Sequence, residues 1–462
     1  MALIVPFRGI RYDPRKIGDL RQVVAPPYDV ISPEAQDAFY QRHPQNVIRL
    51  ILNKETPGDN PQDNRYTRAA AHYRDWLKEG IFVRAKIPHF YFLEEEFESS
   101  IHYRTGGISS PSKKVRRGFM GLIRLEEFAR GVVLPHERTQ TKPKADRLAL
   151  MEACRANFSQ IFSLYSDEEG AMGPIFEKAF SAGDPASDIT DDEGTRHTLW
   201  MVSDRQILKQ VTEVMRPKKI FIADGHHRYE TALAYQERQR ARFPQNTGRR
   251  ETYHFTMMYL TAMEDEGLVI LPTHRVVSSL EGWQASAFME QLHADFSIKS
   301  FVFDSQREGA VRELFLSELA SRSDKGRALG MLLQGIHQYF LLSLKNDRAL
   351  DEAAPKLSST LKALDVNLLH ILIFQKLLKI GPQELAAGKN VLYCKETGEA
   401  IETVRSGRAQ MAFFLNPTKV YQVRDVSLAG ETMPSKSTFF YPKLPSGLVI
   451  NPLEPDEEIA VE

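Results

Sequence analysis

The chain changes from strand to helix within Ile220-Phe221-Ile222-Ala223-Asp224-Gly225-His226-His227-Arg228-Tyr229-Glu230-Thr231-Ala232-Leu233. The first four residues are apolar and predict a short strand, Gly225 permits a tight turn, and the alanine and leucine that follow predict a helix. The turn therefore stands at a helix N-terminus, where free backbone N–H groups and the helix dipole favour an anion. We predict a phosphate or nucleotide site at this junction.

Four side chains of the junction carry candidate chemistry. His226, His227 and Arg228 supply donors beside the helix N-terminus, and a guanidinium matches phosphate oxygens in a bidentate manner. Asp224 ends the strand, where it could bind Mg²⁺ or accept a proton from a hydroxyl. The structural alternative is that Asp224 caps the helix and the histidines satisfy local hydrogen bonds. Capping alone does not explain two histidines followed by an arginine.

The segments on either side of the junction continue the alternation. Strands are predicted at 197–202, 219–223 and 254–262, with helices at 204–215 and 229–242 between them. This alternation favours a mixed α/β fold rather than an all-α or all-β one.

The length of 462 residues exceeds the size at which one core keeps growing, so more than one domain is expected. Polar stretches at 181–195 and 347–356 are the candidate borders. We predict an N-terminal α+β region (1–185), an α/β region with the Asp-Gly-His-His-Arg motif (186–345), and a helical and mixed region whose acidic tail from Glu454 is expected to be disordered (346–462).

A second cluster of charged residues follows the apolar run at 132–134. Glu137 could act there as general base or metal ligand, beside His136 and Arg138, while Lys142 and Lys144 suit a polyphosphate. The alternative interpretation is a solvated loop before an amphipathic helix. Because this cluster also begins at a strand end, we predict that it forms one composite site with the Asp224 junction.

Weaker candidates lie elsewhere in the chain. Tyr28 and Asp29 stand on a proline-stiffened loop that could close over a substrate, with a structural turn as the alternative. His274 and Arg275 could donate to an anion, or they could be a satisfied pair at the core edge. Lys436 lies in a loop near the C-terminus and could reach the site. A basic stretch at 103–117 is interpreted as a solvated loop between two strands.

Composition excludes several classes of function. Sixty basic and sixty acidic residues balance to a net charge of zero, which disfavours general nucleic-acid or acidic-membrane binding. Two distant cysteines indicate neither a disulfide framework nor a zinc site. The sequence has no secretory h-region and no apolar run long enough to span a bilayer, so a soluble, cytoplasmic protein is predicted. Phosphate-loop, dinucleotide-fold, serine-hydrolase and zincin motifs are missing.

The Asp-Gly-His-His-Arg string resembles the signature of the ParB/sulfiredoxin-like superfamily, in which this turn binds nucleotide phosphate. The superfamily includes free-serine kinases, whose Pro-His-Glu motif is similar to Pro135-His136-Glu137. The resemblance implies a ParB/sulfiredoxin-like central region and a general-base role for Glu137. Sulfiredoxins have a reactive cysteine before the His-Arg pair. The chain has His226 instead, so sulfinic acid reduction is not expected.

The whole chain also resembles the uncharacterised family called domain of unknown function 1015, a resemblance that implies no established activity. It is carried by Pro6-Phe7-Arg8-Gly9, Ala25-Pro26-Pro27-Tyr28-Asp29-Val30-Ile31, His136-Glu137-Arg138-Thr139, Ala223-Asp224-Gly225-His226-His227-Arg228, Leu271-Pro272-Thr273-His274-Arg275 and Met433-Pro434-Ser435-Lys436-Ser437-Thr438.

These observations lead to one hypothesis and two alternatives. The hypothesis is a phosphotransferase that uses ATP or ADP with Mg²⁺ and acts on a small hydroxylated metabolite, with free serine as the first candidate. The choice of serine follows from the superfamily resemblance. The alternatives are a nucleotide-binding regulatory protein without turnover, and a hydrolase of phosphate esters.

Overall fold

Two large β-sheets with helices packed against them organise the chain. They are seen in a computed structural model that describes residues 1–101, 108–139, 141–245, 250–323, 327–454 and 457–459. The mixed α/β fold predicted from the sequence is confirmed. One continuous apolar core joins the sheets, since Phe221 and Tyr259 of the first belong to the same buried cluster as Met331 and Phe413 of the second.

The first sheet is mixed and carries the Asp224 junction near one edge. Its strand Ile220–Asp224 is parallel to Val133–Leu134 and antiparallel to Ile161–Tyr165. Across the sheet the strands follow the order Val133–Leu134, Ile220–Asp224, Ile161–Tyr165, Phe255–Ala262, Ile108–Arg124, Phe90–Ile101, Arg196–Val202 and Ser187–Thr190, with Ile4–Val5 paired to Ile108–Arg124.

The second sheet is antiparallel throughout the described residues. Its strands follow the order Phe296–Val302, Gln338–Leu344, Ala328–Leu333, Met411–Phe414, His274–Val277 and Val391–Cys394. Three smaller pairs join distant parts of the chain: Val269–Leu271 with Phe439–Tyr441, Ile10–Tyr12 with Phe82–Arg84, and Ala156–Asn157 with Asn451–Pro452.

The predicted domain borders do not coincide with the limits of the two sheets. The first sheet draws its strands from residues 4–262 and the second from 274–414. The borders at 185/186 and 345/346 each fall within the residue span of one sheet. The division into three regions stays a prediction.

Helices cover the sheets and form the N-terminal part of the molecule. They are Pro14–Ile17, Pro33–Arg42, Ile48–Ile51, Arg65–Lys78, Thr141–Cys154, Gly173–Phe180, Arg205–Met215, His226–Arg242, Ala285–Asp295, Glu308–Ser321, Arg348–Ala353, Ser359–Lys362, Asp365–Leu368, Pro382–Ala387, Thr397–Arg405 and Val420–Leu428. Single 3₁₀ turns occur at Leu20–Gln22, Tyr28–Val30, Phe128–Arg130 and Thr252–His254. None of the helices in the described ranges combines the length and apolar character that a membrane span requires.

Helix starts follow the capping chemistry of the sequence. The Ser32 hydroxyl accepts from the N–H of Ala35 at 3.2 Å, and Pro33 occupies the first helical position. Asp204 accepts in the same way from the N–H of Gln206 at 3.0 Å. The apolar stretch at 364–378 is α-helical only at Asp365–Leu368 and continues as a π-helix at Leu369–Gln375.

Two expectations about charged segments are wrong in the described residues. The basic stretch predicted as a loop over 103–117 belongs from residue 108 onward to the strand Ile108–Arg124, because its side chains pair with the glutamates of the neighbouring strand. Arg104 lies outside the described residues. The acidic tail is attached at 457–459, where Glu457 forms ion pairs with Arg84 and Arg8 and Ile459 is buried.

Candidate functional site

The two motifs predicted to form one site lie side by side at an edge of the first sheet. Ile220 lies opposite Val133 and Phe221 opposite Leu134 in a parallel pair. Parallel strands end at the same edge of a sheet, and residues that follow them meet there. Asp224 and the segment that carries Glu137 are neighbours for this reason.

Two buried histidines join the motifs. The N–H of His136 donates to Nε2 of His226 at 3.2 Å. His136 donates through Nδ1 to the carbonyl of Ile222 at 2.8 Å, and its Nε2 accepts from the Thr438 hydroxyl at 2.9 Å. Burial lowers the pKa of both rings, that of His136 to about 4. Both histidines are therefore neutral at neutral pH and fix the relative position of the two segments.

Glu137 is held between the sheet edge and a loop near the C-terminus, which we define as the Lys436 loop (Met433–Thr438). The N–H of Met433 donates to the carbonyl of His136 at 2.7 Å. The N–H of Lys436 donates to the Glu137 carboxylate. Burial raises the pKa of Glu137 to about 7 despite the cations of Lys436 and Lys443. A carboxyl that titrates near neutrality is suited to accept a proton from a hydroxyl.

Asp224 is the second carboxylate of the site and remains ionised. Its Oδ2 accepts from Nζ of Lys443 at 2.8 Å, and its Oδ1 lies 4.0 Å from the Arg228 guanidinium. Burial acts to raise the pKa of Asp224, but Lys443 and Arg228 hold it well below the usual range. The three side chains are each between 14% and 19% exposed, so the group is partly accessible to solvent.

Gly225 provides the turn between the strand and the helix His226–Arg242. Its φ of 97° lies in the left-handed region that side chains disfavour. The Arg228 guanidinium folds back over the glycine, and a Cβ at this position would stand 2.9 Å from it. His226, His227 and Arg228 belong to the first turn of the helix, whose N–H groups have no partner within the helix.

We expect Gly225→Ala to lower the free energy of unfolding by about 1–2 kcal/mol because of the left-handed backbone, and to displace Arg228 from Asp224. Urea unfolding measures the loss. Gly173 also occupies the start of a helix but has no positive φ and open space around it, so Gly173→Ala is the matched control and should stay within about 0.5 kcal/mol of the wild type. Equal stability of the two variants would contradict the strain described here.

Charges from four segments surround His227. Burial lowers the pKa of its ring, Glu230 and Asp29 raise it, and Lys144 and Lys436 lower it. Nζ of Lys144 lies 2.7 Å from the Glu230 carboxylate, which also accepts from the Thr139 hydroxyl at 2.7 Å. The predicted residues Asp29, Lys144 and His227 are thus brought together, on the side of the motif helix that faces the Glu137 segment.

Tyr28 lies near Arg228 of the site. The Arg147 guanidinium stacks on its ring at 3.9 Å, and burial raises the pKa of its hydroxyl to about 12. Tyr28 and Arg228 both line a small, mainly apolar cavity. Arg138 is exposed and donates to the Thr432 hydroxyl at 3.2 Å. The side chain of Lys142 lies outside the described residues, as does Gln140.

The side chains of His274 and Arg275 do not lie among the charged residues around Asp224 and Glu137. The His274 ring is buried in the second sheet, where Nδ1 accepts from the N–H of Leu415 at 3.3 Å and Nε2 donates to the Thr397 hydroxyl at 3.0 Å. Burial lowers its pKa to about 3, so the ring is neutral. Arg275 is also buried, and it donates to the carbonyl of Lys436 at 2.9 Å, which connects it to the loop behind Glu137.

Three side chains of the site do not stand out in the sequence, namely Thr438, Lys443 and Glu230. Lys443 comes 219 residues after its partner Asp224, and its surroundings, between Pro442 and Pro445, indicate only a turn. Glu230 stands two positions beyond the Asp-Gly-His-His-Arg motif. The signal that could have found it is its spacing of four residues from His226, which puts both on one side of the helix.

The carboxylates of Glu137 and Asp224 are the candidate metal ligands of the site. Among the described residues no group of three or more His, Cys, Asp or Glu side chains could hold a metal. Mg²⁺ commonly takes one or two carboxylates and completes its shell with water and substrate phosphates. Glu137 and Asp224 supply the one or two carboxylates of such a site, in which the metal binds together with a polyphosphate.

Solved structures with weak similarity to the chain include kinases. A free serine kinase mutant in complex with ADP is 10% identical, with a TM-score of 0.33, over 71% of this chain and 89% of that chain. SbnI with a C-terminal truncation from Staphylococcus aureus is 10% identical, with a TM-score of 0.32, over 73% and 90%. A conserved hypothetical protein from Pyrococcus furiosus is 11% identical, with a TM-score of 0.32, over 70% and 92%. These TM-scores are too low to bear on the fold or the function.

No curated protein gives a significant match to the chain. A family model described as "Protein of unknown function (DUF1015)" matches residues 4–367, which include both motifs of the site. The family resemblance found in the sequence is confirmed. The chain belongs to the DUF1015 family.

Proposed function

We propose that the protein is a nucleotide-dependent phosphotransferase that acts on a small hydroxylated metabolite. The observation that carries this proposal is the position of Glu137. A carboxyl with a pKa of about 7 stands beside Asp224 and Lys443, and Asp224 in turn faces Arg228 in the first turn of a long helix. Phosphoryl transfer needs such a base for the acceptor and positioned cations for the phosphates.

Each residue of the site then has a role. Glu137 accepts the proton of the acceptor hydroxyl as its oxygen bonds to the transferred phosphorus, and the bond from that phosphorus to the bridging oxygen of the nucleotide breaks. Lys443, Arg228 and the first-turn N–H groups of the helix offset the charge that develops on the leaving phosphate. Asp224 keeps Lys443 and Arg228 in place. Mg²⁺, when bound with the nucleotide by Glu137 or Asp224, would supply further charge neutralisation.

His136 and His226 act as positioning residues in this proposal. Both rings are buried and neutral, and Nε2 of His226 is engaged by the N–H of His136. His227 and Lys144 stand on the partly exposed side of the helix, where they can contact the nucleotide or the acceptor. Free serine is the first acceptor to test, because the Pro-His-Glu and Asp-Gly-His-His-Arg motifs resemble those of free-serine kinases.

The test is a turnover assay followed by ³¹P NMR. Purified full-length protein is incubated with Mg²⁺, ATP or ADP, and serine or another small alcohol, and we expect a phosphomonoester resonance that requires the acceptor. Release of inorganic phosphate without an acceptor would instead identify a hydrolase. Nucleotide binding in a thermal-shift assay without any turnover would identify a regulatory protein, and either result would overturn the proposal.

Activity should depend on pH through Glu137. A general base works when it is deprotonated, so kcat/KM should be low below pH 6, rise as the pH passes through about 7, and level off above it. Rates measured from pH 5 to 9 with saturating Mg²⁺ give the profile. A profile that is flat between pH 6 and 8 would exclude a base with the pKa of Glu137.

A further inference from the structure

A second cavity, of about 500 Å³, lies in the C-terminal part of the molecule, where nothing in the proposed phosphotransferase mechanism uses it. Its volume is within the range of small-molecule sites. Its walls come from the start of a second-sheet strand, from the helices around residues 359–366 and from the segment 415–425. The polar side chains that matter are Thr273, Arg275, Arg327, Asp365, Asn416 and Lys419.

Arg275 gives the cavity a buried cation that forms no ion pair with the described residues, although the more distant Glu137 carboxylate acts to raise its pKa. The residue is 1% exposed, and it donates to the backbone carbonyls of Thr273 and Lys436. Within the described residues no carboxylate lies within ion-pair distance of it, and its Nε has no hydrogen-bond partner. Thr273 is 8% exposed and also lies on the cavity wall. Its hydroxyl likewise has no hydrogen-bond partner among the described residues. A buried guanidinium of this kind is stabilised when an anion reaches it.

A second cluster of polar side chains in the cavity contains both an acidic residue and basic residues. Asp365 begins the α-helical turn Asp365–Leu368, and the Asn416 side chain hydrogen-bonds to its carboxylate. Arg327 and Lys419 lie close enough to act on the same carboxylate. The Asp365 carboxylate can therefore accept a hydrogen bond from a hydroxyl or an ammonium group, while the cations around it favour a ligand with a negative charge.

We propose that this cavity is a ligand site for a small polar organic acid, a hydroxy acid or an amino acid, whose carboxylate pairs with Arg275 and whose second polar group contacts Asp365. Arginine binds carboxylates through two parallel hydrogen bonds, and Nε and the terminal nitrogens provide that geometry. The proposal does not rest on the phosphotransferase function.

The site is joined to the Lys436 loop by two hydrogen bonds. Arg275 donates to the carbonyl of Lys436 at 2.9 Å, and the Thr418 hydroxyl donates to the carbonyl of Ser437 at 2.8 Å. The same loop donates to Glu137 through the N–H of Lys436. A carboxylate bound by Arg275 would thus stand next to the loop that completes the first site.

Isothermal titration calorimetry with full-length protein tests the proposal, with L-malate, L-lactate and L-glutamate as probes and inorganic phosphate as an anion control. We expect at least one organic acid to bind with a stoichiometry of one. Arg327→Gln and Asp365→Asn should each weaken that binding by about tenfold or more, because each removes one charge from the cavity. Thermal unfolding checks that both variants are folded.

A control variant separates this site from the rest of the molecule. Arg348→Gln removes an exposed arginine that pairs with Glu352 outside the cavity, and should leave binding unchanged. Acid binding is measured in the absence of nucleotide and needs no turnover, so a failure of the phosphotransferase proposal leaves this result intact. Lack of binding by all three acids, equal binding of inorganic phosphate, or undiminished binding in both folded cavity variants would overturn the proposal.

Discussion

Glu137→Gln should lower kcat for phosphoryl transfer by about 10²–10⁴-fold while the affinity for the nucleotide stays within a few-fold of the wild type. Glutamine has nearly the shape of glutamate and can still accept from the N–H of Lys436, but it cannot take the proton of the acceptor. The pH dependence of the residual rate should also lose its rise near pH 7. Single-turnover measurements by rapid quench separate the chemical step from binding.

Asp265 offers a matched control for this variant. Burial raises its pKa as well, to about 6, but it accepts from the N–H groups of Arg117 and Gly267, in a turn outside the site. Asp265→Asn should leave kcat and its pH profile unchanged. If Glu137→Gln retains full turnover, or if Asp265→Asn loses as much, the base is not Glu137.

Arg116→Met should lower the free energy of unfolding by about 3–5 kcal/mol. Arg116 and Glu95 are both fully buried, with Nε of the arginine 2.8 Å from the carboxylate. Nδ1 of His197 lies 3.3 Å from the other oxygen of Glu95. Removing the arginine leaves a carboxylate inside the sheet without its main partner, which is the costly way to break a buried pair.

The same substitution should also disturb the first site. Arg116 donates to the carbonyls of Tyr441 at 3.1 Å and Pro442 at 2.8 Å, directly before Lys443. Urea unfolding gives the stability loss, and a nucleotide titration of the folded protein gives the loss of affinity. Arg117→Met is the control. Arg117 follows Arg116 in the chain but is 39% exposed, so its ion pairs with Glu94 and Glu177 are worth about 1 kcal/mol or less. Similar losses in the two variants would contradict the buried network.

The sequence predicts those parts of the site that depend on local chemistry. The strand and helix on either side of Gly225 follow from apolar spacing, and Ser32 and Asp204 start helices as capping residues do. The neighbourhood of Glu137 and Asp224 was also predictable, because both follow short apolar strands and parallel strands end at one edge. The mixed α/β class follows from the same alternation.

Contacts between distant parts of the chain were not predictable in this way. Arg116 belongs to a run of basic residues, and such runs are commonly solvated. Its burial depends on the ion pair with Glu95, and the two residues meet only because the register of the two strands places them opposite each other. Thr438 meets His136 across 302 residues, and no period or spacing encodes that contact. His274 is a candidate anion donor in the sequence, but both nitrogens of its ring are hydrogen-bonded to Thr397 and Leu415 inside the second sheet.

The Lys436 loop and Lys443 lie beyond residue 367, where the match to the family model ends. The first site therefore joins residues on both sides of that limit: Glu137 and Asp224 come early in the chain, and their partners come late. Domains generally form from the N-terminus as the ribosome advances. On a nascent chain, Asp224 has no lysine partner and Glu137 has no covering loop until synthesis passes residue 443. The assembled site thus needs segments from both sides of residue 367, which delays its chemistry until the ribosome has added residue 443.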